Sequence, residues 1–166
     1  MTSRTLKIPA ALLALALSSA LVGSACSSGT GPLALRAPDR AQFEQDVYPV
    51  LLRDCAFTVS CHGSTKRFFQ VAGPGRLRLM ATTRPLDELT PAEVAYSYGR
   101  AASMIDAVTP QSSLLLRKPL EISAGGTGHE GVDSLGRDVY QSTTEPGYMA
   151  LAKWVLATPA AMKAQP

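Results

Sequence analysis

The stretch that most constrains this chain is Cys55-Ala-Phe-Thr-Val-Ser-Cys61-His62-Gly63. It sets two cysteines a short loop apart and places a histidine directly after the second. A Cys-x-x-Cys-His string is the attachment signature of c-type haem. There the two thiols join the haem vinyl groups, and the histidine ring takes one axial position on the iron. Here five residues, not two, separate the cysteines, so the intervening chain must bulge outward to keep the sulfur spacing. Three chemistries use these residue types: covalent haem, a Cys55–Cys61 disulfide, and zinc held by Cys55, Cys61, His62 and His129. Adjacent Cys61 and His62 are awkward as zinc co-ligands.

The N-terminus bears on that choice. Arg4 and Lys7 precede an apolar run from Ile8 to Ala25 that ends in small residues. A basic start, an apolar core and a small-residue exit predict a secretory signal peptide over residues 1–25, with a retained membrane anchor as the alternative. Val22-Gly23-Ser24-Ala25-Cys26 resembles a bacterial lipobox, in which the cysteine becomes the lipidated first residue. Gly23 stands where leucine is usual, which leaves plain cleavage after Ala25 open. Residues 26–40 then read as a flexible Gly/Ser tether. Export implies an oxidising compartment, periplasmic or on the outer membrane, where two thiols pair unless something else claims them.

Removal of residues 1–25 leaves 14 basic against 13 acidic side chains, a net charge of +1. So balanced a body gives no electrostatic case for a nucleic-acid partner. No serine sits in a nucleophile elbow, no metalloprotease string occurs, and the glycines at 125, 126 and 128 lack the strand and helix of a phosphate cradle. An electron carrier or a binding protein fits better than a catalyst.

Helical signals dominate residues 41–158. Pro38-Asp39 opens a helix whose Phe43, Val47, Val50 and Leu51 form one apolar face. Pro49 predicts a break or restart within it. Residues 63–75 read as an irregular loop, and Arg76 to Met80 alternate as a short extended piece. Thr90-Pro-Ala-Glu93 is a capping box for a helix reaching about Gly99. Pro110 opens a short helix that Pro119 closes. Ser142-Thr-Thr-Glu145 reads as a second capping box, launching a helix that carries Tyr148, Met149, Leu151, Trp154 and Val155. Lys66, Arg67, Arg76 and Arg78 read as a solvated basic face, with haem propionates as their alternative partners. Residues 159–166 form a tail. The fold class is all-α.

Several of these segments, in order from Phe43 to Leu156, resemble the cytochrome c-like domain of exported planctomycete and myxobacterial proteins. They are Phe43…Val47-Tyr-Pro-Val-Leu51, Cys61-His-Gly63, Thr109-Pro-Gln-Ser-Ser-Leu-Leu115 with Arg117-Lys-Pro119, Gly128-His-Glu-Gly131, and Tyr148…Leu151…Trp154. The resemblance implies a few short helices around a haem pocket, with long loops. It implies one haem c held by thioethers to Cys55 and Cys61, with His62 as proximal iron ligand. His129 stands at the family's late histidine and becomes the distal ligand, with Met149, Met104 and Met80 as rivals. Trp154 would then pack the last helix on the first. Redox partner proteins follow as partners, and the membrane through a lipid on Cys26. A redox subunit attached to an enzyme partner is a further reading. The competing class is a haem-free binding or structural lipoprotein with a Cys55–Cys61 disulfide.

Overall fold

A computed structural model describes residues 37–57, 61–129 and 137–158. The signal peptide, Cys26 with most of its tether, and the tail lie outside the described residues. Those described form helices joined by long loops, with two isolated bridges and no strand. This is consistent with an all-α class.

Helix α1 is a continuous rod built from Arg40–Gln42, Phe43–Val47, Tyr48–Val50 and Leu51–Cys55. Asp39 caps it by accepting from the Gln42 N–H at 2.7 Å. No break occurs at Pro49. The stretch just before it widens into a π turn, in which the Tyr48 N–H reaches back five residues to the Phe43 carbonyl. A wide turn relieves the clash between a proline ring and the preceding turn. The rod therefore accommodates the proline without interruption, and the exposed ring of Pro49 faces outward. Phe43, Val47 and Leu51 are fully buried on the inner face.

Helix α2, Pro91–Ala102, opens on the predicted capping box of Thr90 and Glu93 and runs three residues past Gly99. Its fully sheltered face is Glu93, Ser97 and Ala101, four residues apart and mostly polar. A short turn at Pro110–Ser112 leads into α3, Leu114–Arg117. The last helix, α4, is Pro146–Ala157. Its start differs from the predicted box: Glu145 itself is the N-cap residue, and its carboxylate folds back to accept from the N–H groups of Gln141 and Ser142. Proline at the first helical position suits this start, because its missing N–H would have had no partner.

The core forms where α4 lies across α1. The Trp154 ring sits 5.2 Å from Phe43, and its indole N–H donates to the Asp39 carbonyl at 2.7 Å. Trp154 is thus a core residue, as expected. The Arg76–Met80 segment makes no strand, only a single bridge between Ala72 and Leu77. A second bridge, Leu120 to Tyr140, ties residues 137–140 to the chain after α3.

The expected basic face divides. Lys66 and Arg67 are exposed, whereas Arg76 and Arg78 turn inward. Arg78 pairs with Glu93 at 2.7 Å, its side chain 7% exposed. It also donates to the carbonyls of Arg84, Pro85, Asp87 and Glu88. A planar five-donor fork gathers a loop in a way an ammonium cannot.

Candidate functional site

Helix α1 ends at Cys55, and the following loop is closed by the backbone. The His62 N–H donates to the Cys55 carbonyl at 3.1 Å, and the His62 carbonyl accepts from Val71 N–H at 2.8 Å. Cys55 and His62 therefore stay together despite the long spacing between the cysteines. Both cysteines carry thiols, and no disulfide joins them. Burial pushes the Cys55 thiol up to about 12, with Asp54 and Cys61 adding to the effect.

His62 Nδ1 lies 2.9 Å from the Phe69 carbonyl. A carbonyl can only accept, so the proton is on Nδ1 and the Nε2 lone pair is left for a ligand role. Burial lowers the His62 pKa, and the charges of His129 and Arg67 lower it further, against the bond to Phe69. The shift favours the neutral ring, the form that binds a metal.

His129 arrives from the glycine-rich loop after the Ile122–Ala124 turn. Gly125 and Gly128 have φ of +101° and +79°, and Gly126 is so close that a Cβ would meet the Leu120 carbonyl at 1.7 Å. That loop brings the His129 ring to 5.8 Å from His62, inclined at 62°. Both histidines and both cysteines line one cavity of about 660 Å³. Its walls include Phe69, Met104, Leu115 and Val139, and Phe57, Phe68 and Leu114 stand at it with exposed side chains. Arg53, Arg67, Lys118 and Arg137 bring positive charge, set against Asp54 and Asp138. Asp54 is occupied by Arg53 and by the Tyr140 hydroxyl at 2.9 Å. Asp138 Oδ1 is buried without a hydrogen-bond donor.

The four residues singled out from the sequence thus line one cavity. Of the methionine rivals, Met104 lines the cavity, whereas Met80 and Met149 are 62% and 49% exposed and lie elsewhere. Among the described residues no three His, Cys, Asp or Glu side chains gather as a bare metal ion needs, so the zinc reading has no geometric basis there. Lys118, Arg137 and the Asp54–Tyr140 pair were not picked out as site residues in the sequence. Lys118 and Arg137 are revealed only as lining of the cavity, and the Asp54–Tyr140 pair by a bond across 86 positions. The chain matches no known protein family, no curated protein and no solved structure.

Proposed function

We propose that this chain is an exported electron-transfer protein carrying one covalent haem c, anchored to the membrane by lipid on Cys26. The reading rests on one observation: His62 and His129, with ring centres 5.8 Å apart, line one cavity whose wall also holds Cys55 and Cys61. His62 and His129 would hold such a group through its iron, and Cys55 and Cys61 would hold it covalently. Ligand cavities run from about 300 to 1,000 Å³, a range that includes this one. The seating of α4 on α1 through Trp154 and Phe43 is in keeping with a cytochrome c-like fold.

Haem, when bound, supplies a one-electron iron couple, and the protein sets its potential and access. His62 offers Nε2 while the Phe69 carbonyl holds its other nitrogen, which fixes the ring and raises its basicity. His129 offers a second imidazole, which lowers the potential relative to a methionine. Arg53, Arg67, Lys118 and Arg137 suit the carboxylates of the propionates. Phe69, Leu115 and Val139 exclude water. Electrons would pass to and from redox partner proteins.

The test is potentiometric titration of the full chain made with a c-type maturation system. A reversible one-electron wave with a two-imidazole spectrum supports the proposal. A chain without visible absorbance and with a Cys55–Cys61 disulfide replaces it with a haem-free binding lipoprotein.

A further inference from the structure

We infer that Arg76 is a positioning residue for the loop that carries Cys61 and His62. The consequence for the iron ligand rests on the haem reading of the cavity; the loop geometry does not. The guanidinium donates Nε to the Ala56 carbonyl, Nη2 to the Leu52 carbonyl and Nη1 to the Pro74 carbonyl, each at 3.0 Å. Leu52 and Ala56 lie in the last turn of α1 and just beyond it, where carbonyls lack helical partners and the helix dipole is negative. A planar cation satisfies both at once.

The other end of the loop rests on the same side chain. A Cβ on Gly63 would meet Arg76 Cγ at 2.8 Å, the Ala56 carbonyl at 3.0 Å and Arg76 Cβ at 3.2 Å. Gly63 therefore lies flat on the arginine stem, directly after His62. Arg76 grips the loop where it leaves α1 and supports it where it returns, while the His62 N–H closes it onto Cys55. A stretched cysteine spacing needs such a clasp, because no single helical turn sets it. The position of the His62 ring follows from the clasp.

Arg76→Met and Arg76→Lys test this in the full chain, with thermal unfolding to confirm folding. In haem-free protein, hydrogen exchange at the His62 and Val71 amides should quicken about tenfold in Arg76→Met, the scale of losing one or two bonds to a charged donor. Leu151 and Trp154 in α4 should not change. Arg76→Lys, lacking the fork, should fall between. In haem-loaded protein, added imidazole should displace a protein ligand roughly tenfold more readily in Arg76→Met, and the midpoint potential should move. Unchanged exchange at His62, or an equal rise throughout α4, overturns the inference in favour of general stabilisation. Haem-loaded Arg76→Met with wild-type potential and ligand exchange overturns it as well. If the wild type takes up no haem, the haem reading falls, and the exchange data still decide whether Arg76 holds the loop.

Discussion

Glu93 is 1% exposed, an extreme position for a carboxylate. It survives there because Arg78 and Thr90 satisfy it from two sides. Burial alone raises the Glu93 carboxyl, but the bonds from Arg78 and Thr90 outweigh it, and the net shift is downward from 4.5. A carboxyl depressed in the folded state stabilises fully above its unfolded pKa, and that stability drains away as pH falls through the folded value. Resistance to urea should therefore fall below about pH 4.5 in the wild type, and Glu93→Gln should flatten that dependence. Arg78→Met leaves the carboxylate buried and unpaired, and should destabilise by about 3–5 kcal/mol at neutral pH. An equal pH slope in wild type and Glu93→Gln would contradict this account. Arg78 also shows where residue-level reading stopped. Its partner lies fifteen positions on, and an arginine in an alternating stretch looks like surface until that partner is located.

Among elements, helix starts were legible because caps are local. Asp39 and Thr90 each sit beside the backbone they cap, and the capping box of α2 formed as read. The Ser142–Glu145 box did not, since Glu145 reached back to the loop instead of forward into the helix. Pro49 misled for a different reason: the widened turn that accommodates it is a property of the rod's backbone, invisible to residue spacing. Two substitutions follow. Pro49→Ala should change stability by no more than about 0.5 kcal/mol, because the ring is exposed and already accommodated. Trp154→Ala, which empties the α1–α4 contact and removes one of the two donors to the Asp39 carbonyl, should lose about 3–5 kcal/mol. Thermal unfolding compares them, and a large loss in Pro49→Ala would mean the π turn depends on the proline.

At the scale of the whole molecule, the cavity is assembled from the end of α1, the loop after it, the chain beyond α2, the α3 region and the glycine loop. Cys55, Cys61, His62 and His129 were legible because cysteine and histidine are scarce and carry few bland roles in such motifs. Met104 was one candidate among several, and only the fold separates it from Met149, which lies outside the cavity. This sets a choice of distal ligand. His129→Ala should change the axial-ligand spectrum and raise the midpoint potential as a thioether or water takes over, whereas Met104→Leu should leave both near wild type. The reverse pattern would assign the position to Met104.

The central claim is covalent haem at a stretched motif, and intact mass together with a pyridine haemochrome spectrum tests it most directly. The full chain, made with a c-type maturation system, should gain the mass of one haem that survives acid extraction and is lost in Cys61→Ser. A mass two protons below the reduced chain, with no haem absorbance, would contradict the claim and leave a disulfide between Cys55 and Cys61.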